Sequence, residues 1–427
     1  MTQLSTPVGS PFFHYENQEL FVEQLAVKSL AQQFGTPLYI YSKAALSANW
    51  QRYQEVIDTY KNVLICYAVK ANSNIAILNT FAKLGAGFDL VSGGELIRAL
   101  KAGADPKKII FSGVGKQVWE IEAALKAGIK CFNVESIPEL SLISEVATRL
   151  GVNAPISLRV NPDVDAKTHP YISTGLRENK FGIDINLAAD IFAKAKTLSG
   201  IEIAGLDCHI GSQLTDISPF AEVADKLVIL LNHLKADGIE VKHLDIGGGL
   251  GIQYKDEQVP APIEIAKLVK SRFEAAGYGS LELVMEPGRF LVGNAGVLLT
   301  QVLFVKPTEA RNFAIVDVAM NDLVRPTLYD AYHGVLEVAP QGDTGVYDIV
   351  GPICESGDWL AKQRELRIAP QDYLVIESVG AYGFTMSSQY NSRPRAAEVL
   401  VDGTKAHLIR ERETVEQLFA LEHIVNG

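Results

Sequence analysis

Lys70 is the first residue whose type and place could do chemistry. It follows an apolar run, Val63 to Val69, and precedes the small and polar Ala71 and Asn72. An amine at the end of a buried strand loses hydration, so its pKa falls and it can form a Schiff base with an aldehyde. A lysine snorkelling from a strand end is the commoner outcome for a lone residue. Gly247, Gly248, Gly249 and Gly251 follow another apolar run. Adjacent glycines let backbone N–H groups approach an anion closely, although a tight structural turn explains them about as well. The run departs from GxGxxG, because Ile252 falls at the last glycine position, and GxxxxGK[ST] is missing. A small phosphate-bearing ligand therefore stays open while dinucleotide and P-loop readings weaken.

Glu286-Pro287-Gly288-Arg289 follows Leu283-Val284-Met285. A carboxylate there could hold a protonated pyridine nitrogen, or pair with Arg289 within its own motif. His209 could stack on an aromatic cofactor and Ser212 could donate to its phosphate; alone, a satisfied core histidine is the commoner reading. Cys354 lies among Glu355, Ser356, Gly357 and Asp358. A thiol is mostly protonated near neutral pH and can donate to a carbanion. One more buried cysteine is the plainer account, but the flanking acids favour a loop. A Schiff-base lysine, a ring-nitrogen carboxylate, phosphate donors and a proton donor together form the set that pyridoxal phosphate requires.

These residues need elements to hold them. Eight short apolar runs end abruptly in small or polar residues: Val63–Tyr67, Phe88–Val91, Ile109–Phe111, Cys131–Val134, Ile156–Val160, Ile203–Cys208, His243–Ile246 and Leu283–Met285. Helix-like stretches separate them, one capped by Ser42 and running through Ile57, another opening at Gly94. Eight β-then-α units favour a closed (β/α)8 TIM barrel over an open doubly wound sheet, with chemistry at the C-terminal strand ends. Beyond Phe290 the texture changes to strands without long helices: Val297–Val305, Phe313–Val318, Val346–Val350, Tyr373–Glu377 and Glu398–Arg410. The last contains Asp402-Gly403, a two-residue hairpin signal. Leu38–Tyr41 is expected to join this second, antiparallel β domain. The expected division is a barrel over 43–292 and a β-rich domain from 1–42 and 293–427.

The bulk numbers agree with two domains: 427 residues, 48% hydrophobic and 21% charged. A formal net charge of −11 argues against a nucleic-acid or acidic-membrane surface. Cys66, Cys131, Cys208 and Cys354 form no CxxC pair, so neither a zinc ribbon nor a disulfide framework is expected, and no metal is assigned. Met1 to Asn17 shows no secretory pattern, and no run is long enough to span a membrane. A cytoplasmic protein is the expectation.

The motifs resemble those of the diaminopimelate decarboxylases, in the alanine-racemase-like barrel class of pyridoxal-phosphate enzymes. The resemblance runs from Tyr67-Ala68-Val69-Lys70-Ala71-Asn72 through Cys208-His209-Ile210-Gly211-Ser212-Gln213, Gly247–Gly249 and Glu286–Arg289. It continues to Cys354–Asp358 and Gly380-Ala381-Tyr382, so it covers nearly the whole chain. It implies that Lys70 carries the cofactor, Glu286 pairs with the pyridine nitrogen and His209 stacks on the ring. Ser212, the backbone at Gly249 and the Tyr382 hydroxyl are implied as the phosphate site, with Gly288 and Arg289 beside the cofactor. Asp89 and Glu95 would support Lys70. The family also implies a homodimer in which Cys354 and Glu355 act on the neighbouring subunit's site.

Substrate choice is a separate step. Diaminopimelate has a second amino acid head, so its site needs both an anion and a cation partner. Arg289 and Arg325 suit the distal carboxylate, Tyr329 and Tyr382 can add contacts, and Glu355 suits the distal ammonium. The Arg325-Pro326-Thr327-Leu328-Tyr329 segment and the Cys-Glu-Ser loop resemble the diaminopimelate branch. Relatives acting on ornithine, arginine or carboxynorspermidine are the alternatives, followed by a racemase of the same barrel class and a catalytically inactive regulatory homologue. Asn161 to Gly182 is expected to fold over the site as a lid.

Overall fold

The computed structural model describes residues 5–165 and 179–425. The middle of the expected lid, 166–178, lies outside the described residues. The chain divides into two compact units. One comprises Asn49–Ile252 and Gln258–Phe290; the other comprises Met1–Ala48, Gln253–Glu257 and Leu291–Gly427.

The first unit is the eight-stranded parallel barrel. Its strands are β1 Val63–Ala68, β2 Gly87–Leu90, β3 Ile109–Phe111, β4 Cys131–Val134, β5 Ala154–Asn161, β6 Ile201–Asp207, β7 His243–Asp245 and β8 Glu282–Met285. Each pairs with the next in parallel, and β8 pairs with β1 to close the ring. Leu64, Cys66, Ile110, Cys131, Ala204 and Val284 form a buried cluster from five of these strands. The small side chains among them leave room for bulkier neighbours in a ring this narrow. Helices follow the strands where local chemistry starts them. Ser42 Oγ accepts from the Ala45 N–H at 3.0 Å, opening helix Lys43–Thr59. Ser92 Oγ likewise accepts from the Glu95 N–H at 3.2 Å, opening helix Gly93–Lys101.

One buried contact within the barrel yields two predictions. Gly205 lies opposite His243 in the β6–β7 register, beside an irregularity in the β5–β6 pairing. A Cβ on Gly205 would stand 2.1 Å from His243 Nε2. Gly205→Ala is expected to cost about 1–3 kcal/mol through overpacking, read as a lower thermal midpoint. His243 is 2% exposed, and burial, helped by Lys130 and Lys242, pushes its pKa down to about 3. Below pH ~6.5 the unfolded histidine takes a proton that the folded one refuses. The unfolded state thus binds more protons, and this residue's contribution falls by about 1.4 kcal/mol per pH unit as pH drops from ~6.5 towards 3. Urea unfolding at several pH values should show this slope as the difference between the parent and His243→Gln. A pH-independent difference would count against a neutral buried His243.

The second unit is built on a mixed sheet. After the barrel come β9 Gly296–Pro307, β10 Asn312–Val316, β11 Gly345–Val350, β12 Trp359–Leu366, β13 Tyr373–Ile376, β14 Ala397–Asp402 and β15 Lys405–Arg410. The spatial order is β12-β11-β10-β9, then strand Leu38–Ser42, then β14-β15, with β13 also paired to β9. Most pairs are antiparallel, as expected, but β10–β11 and Leu38–Ser42 with β14 are parallel. Those two pairs join strands far apart in sequence, where no hairpin dictates direction. The hairpin β14–β15 pairs Asp402 with Lys405, so its two-residue loop is Gly403-Thr404 rather than Asp402-Gly403. Gly403, at φ +62°, takes the left-handed position. A three-stranded meander, Phe13–Glu16, Glu19–Val22 and Leu25–Ala26, also forms. Its Phe13, Leu20 and Val22 join Leu38, Ile40, Val297, Leu299 and Val399 in one core. Among the described residues, no helix is long and apolar enough to cross a membrane.

Candidate active site

The sequence-derived residues of the barrel gather at its C-terminal strand ends. Lys70 lies in the short helical turn Val69–Ala71 after β1, and its Nζ donates to Asp89 Oδ2 at 2.7 Å. The Asp89 side chain is fully buried on β2, whereas that of Lys70 remains 37% exposed. The amine is thus held in place by Asp89 on a side chain that solvent still reaches. Glu95 accepts from the Val91 N–H at 2.7 Å, and burial pushes its carboxyl up to about 7. The nearby Lys70 charge opposes that shift.

Glu286 follows β8 directly and is 7% exposed. Its backbone is fixed by an N–H donated to the Gly247 carbonyl at 2.8 Å. Its Oε1 has no hydrogen-bond partner among the described residues. Burial raises its pKa well above the usual carboxylate range, and Asp245, Asp89 and Asp207 add to the rise. A buried oxygen without a donor is costly to leave that way, which marks a place reserved for something else.

His209 follows β6 and accepts from the Gly248 N–H through Nδ1 at 3.2 Å. Burial, with the Arg159 and Lys70 charges, holds its pKa well below the usual histidine value, so the ring is neutral. The glycine run is a requirement of close approach. A Cβ on Gly247 would stand 2.5 Å from His209 Nδ1, and one on Gly248 would stand 2.1 Å from the Glu286 carbonyl oxygen. Gly249 approaches Gly211 equally tightly and has φ +109°. Gly288 packs against Ala68 and Ala71, the residues around Lys70. Arg289 donates to Ser212 Oγ from Nη2 at 3.0 Å and from Nε at 3.3 Å. The structure therefore groups Arg289 with Ser212 and the glycine loop.

Sequence reasoning did not assign a role to four charged groups at these strand ends. Arg159 on β5 pairs with Glu135 Oε1 at 3.1 Å and reaches Asp207 Oδ2 at 4.0 Å. Glu135 also accepts N–H groups from Gly113 and Gly182, at 2.9 and 3.1 Å. Asp207 and Asp245 close β6 and β7, and one oxygen from each lies within 4.8 Å of one from Glu286. Their only signal in the sequence was a carboxylate at the end of an otherwise apolar strand.

The remaining candidates lie in the second unit. Arg325 opens the short helix Arg325–Tyr329 and is buried. Its Nη1 donates to the Tyr254 hydroxyl at 2.7 Å and lies 3.4 Å from His333 Nε2. Its guanidinium also sits over the Tyr254 ring, 5.1 Å from the centroid. His333 Nδ1 is 2.8 Å from the Glu377 carbonyl oxygen and donates to it. That leaves Nε2 as an acceptor facing Arg325. Tyr254 and His333 were not foreseen, because neither is near Arg325 in a recognisable motif. Tyr329 ends the same helix, half-buried.

Thr327 Oγ1 donates to the Gly357 carbonyl at 2.7 Å, linking that helix to the cysteine loop. Cys354 is exposed there, and its N–H donates to Asn391 Oδ1 at 3.2 Å. Glu355 Oε2 accepts from the Tyr390 hydroxyl at 2.9 Å. Asp358 holds the loop by accepting the Met320 and Ile353 N–H groups at 2.7 and 2.8 Å. Tyr382 is half-buried with a left-handed backbone at φ +57°, a conformation costing about 1 kcal/mol or more for a non-glycine residue.

A parallel barrel with a tethered lysine, a glycine cradle and an orphaned buried carboxylate at one mouth has the layout of a pyridoxal-phosphate enzyme. Residues 43–293 match the pyridoxal binding domain of pyridoxal-dependent decarboxylases. A Vibrio cholerae diaminopimelate decarboxylase is 55% identical over 97% of this chain and 99% of its own. One from Neisseria meningitidis serogroup B is 56% identical over 94% and 97%. Solved structures agree: the Helicobacter pylori diaminopimelate decarboxylase complexed with L-lysine superposes with a TM-score of 0.89 at 44% identity, covering 92% of this chain and 98% of that one. The M. jannaschii enzyme gives 0.93 at 40% identity, covering 98% and 99%. The chain belongs to the diaminopimelate decarboxylase family. Its residues fit the cofactor: the unpartnered Glu286 Oε1 offers a place for a ring N–H, and the cradle is one that a Cβ would fill.

Proposed function

We infer that this chain decarboxylates meso-2,6-diaminopimelate to L-lysine and CO2, the last step of lysine biosynthesis, with pyridoxal 5'-phosphate as cofactor. The observation that carries the reading is the Lys70–Glu286 arrangement at one barrel mouth, in a chain more than half identical to diaminopimelate decarboxylases. When bound, pyridoxal phosphate supplies an electron sink for the pair left behind by departing CO2.

The residues divide the remaining work. Lys70 Nζ is the amine for the cofactor's aldehyde, and Asp89 orients it through the 2.7 Å hydrogen bond. Glu286 Oε1 would accept a hydrogen bond from the protonated pyridine nitrogen, and its charge would keep the ring cationic. Neutral His209, fixed through Nδ1, offers an apolar ring face to the cofactor. Ser212, held by Arg289, keeps its own O–H for the phosphate, alongside the N–H groups at Gly249 and the Tyr382 hydroxyl. Arg325 takes the distal carboxylate of the substrate with Tyr329, and Glu355 takes its distal ammonium. Cys354 Sγ–H is the proton donor to the carbon that loses CO2.

The reading includes a homodimer in which a second copy brings Cys354 and Glu355, and a cofactor-binding barrel over 43–292. A cytoplasmic location is part of it, supported by four free cysteines. Arginine, ornithine and carboxynorspermidine decarboxylation are the rival activities. Incubating the purified protein with pyridoxal phosphate and each of the four substrates, and quantifying CO2 and amine products, tests the choice. Lysine from diaminopimelate alone is the expected result; turnover of another substrate in preference would overturn the assignment of Arg325 and Glu355.

A further inference from the structure

The three carboxylates at the ends of β6, β7 and β8 form a buried group: Asp207 is 2%, Asp245 0% and Glu286 7% exposed, with one oxygen of each within 4.8 Å of the others. Two cations face the group, and both are engaged elsewhere. Lys70 Nζ pairs with Asp89, and Arg159 pairs with Glu135 and leans on Asp207. Counting Asp89, Glu135, Asp207, Asp245 and Glu286 against Lys70 and Arg159 gives five carboxylates and two cations. Neighbouring like charges in a buried site cannot all ionise, so protons must remain within the group.

Asp245 has the geometry to keep one. Its Oδ1 accepts the Gly247 N–H at 2.8 Å, which fixes the carboxyl plane. Its Oδ2 is buried and has no hydrogen-bond partner among the described residues, as is true of Glu286 Oε1. We propose that Asp245 is a positioning residue that holds a proton on Oδ2 facing Glu286, so that Glu286 alone carries negative charge to the cofactor's ring nitrogen. While no cation is bound the shared proton lies on Glu286, because the Gly247 N–H and a hydrogen bond with Glu286 lower Asp245. Burial raises Asp245 to about 7 and raises Glu286 well above the usual range, with Asp89 and Asp207 pushing upward and Lys70 and Arg159 pulling down. A cation docked on Glu286 Oε1 reverses the balance for that residue only. Glu286 then ionises, and the proton passes to Asp245, whose carboxyl acts as a neutral hydrogen-bond donor. The metal reading of the same three residues fails on this arrangement, because Glu286 is committed to the ring nitrogen.

This inference rests on the reading of Glu286 as the ring-nitrogen partner, and the test separates the two. The full-length chain is stripped of cofactor and rebound with pyridoxal phosphate, recording the dissociation constant and the absorbance spectrum of bound cofactor across the neutral pH range. Asp245→Asn keeps an acceptor for the Gly247 N–H and places a permanent N–H where Oδ2–H stands. It is expected to bind within about threefold of the parent with an unchanged spectrum. Asp245→Ala removes the donor to a charged acceptor and is expected to bind at least about tenfold more weakly, with a shifted spectral pH profile. Asp245→Ser takes its place if the alanine variant folds poorly by circular dichroism. Binding as weak in Asn as in Ala means that charge at 245 is required and overturns the proposal; parental binding in Ala overturns it too. Glu286→Gln is the separate control: an unaltered spectrum there would sink the ring-nitrogen reading itself, whatever the Asp245 variants do.

Discussion

Lys70→Ala is expected to lower turnover of diaminopimelate by at least about 10³-fold, and the bound cofactor to lose the absorbance that depends on covalent attachment to an amine. The size follows from two roles that vanish together. On the proposed reading Nζ is the amine for the cofactor's aldehyde and also the group that releases the product. No neighbour can substitute, because the other cation facing the cluster, Arg159, is already paired with Glu135. The variant also leaves Asp89 buried beside an empty position. Breaking a fully buried pair costs ~3–5 kcal/mol, but the Lys70 side chain is 37% exposed, so solvent screens the pair and the loss is smaller. The two consequences separate by experiment: circular dichroism and a thermal melt report the fold, while the spectrum and product assay report the chemistry. Parental turnover in a folded Lys70→Ala protein would remove the lysine from the mechanism altogether.

Arg325→Ala is expected to lower kcat/KM for diaminopimelate by about 30-fold to several-thousand-fold, mostly through KM, with cofactor absorbance unchanged. Truncating one partner of a buried, hydrogen-bonded charge pair costs about 2–5 kcal/mol, which converts to that range. The estimate takes the distal carboxylate as the missing partner. Tyr254 and His333 already occupy Arg325 Nη1, so the guanidinium is held before substrate comes, and little ordering entropy is left to lose on binding. Arg325→Lys keeps the charge but surrenders the planar fork, and should fall between the parent and alanine. Steady-state kinetics on the three proteins give the answer. An effect confined to kcat would point to a role in the chemical step instead of in substrate grip.

The barrel was legible because its signal is local and repeated. Each strand is a short apolar run closed by small or polar residues, and eight of them at βα spacing admit few arrangements. Lys70, Glu286 and the glycines were legible for a related reason: a polar residue at the end of a buried strand has to be explained. The second sheet was harder to read. Its two parallel pairings join Asn312–Val316 to Gly345–Val350 and Leu38–Ser42 to Ala397–Asp402. No turn between neighbours announces such pairings.

The strand Trp359–Leu366 alternates too weakly to register, with Lys362, Gln363 and Arg364 in its middle. Tyr254 and His333 escaped because their importance lies in what they touch. Asp245 was read as part of a strand, since one carboxylate in a three-residue element says nothing about two others arriving from neighbouring strands. The candidate residues of the second unit were read from family resemblance, and the arginine held by a tyrosine and a histidine appears only in the structure.

The strand Leu38–Ser42 has a further consequence, for synthesis. All five of its residues are buried, and both of its edges are paired, one with residues 296–299 on β9 and the other with residues 397–401 on β14. A ribosome therefore releases this strand some 350 residues before its last partner exists. At about 5–20 residues per second, that is roughly 20 seconds or more in which an apolar, unpaired edge is open to other chains. The barrel likewise waits, since β1 closes only on β8. Nascent chains cut short anywhere before β14 should thus be sticky, whereas the finished protein is not. The demand for chaperone shelter during translation is written into the position of one five-residue strand.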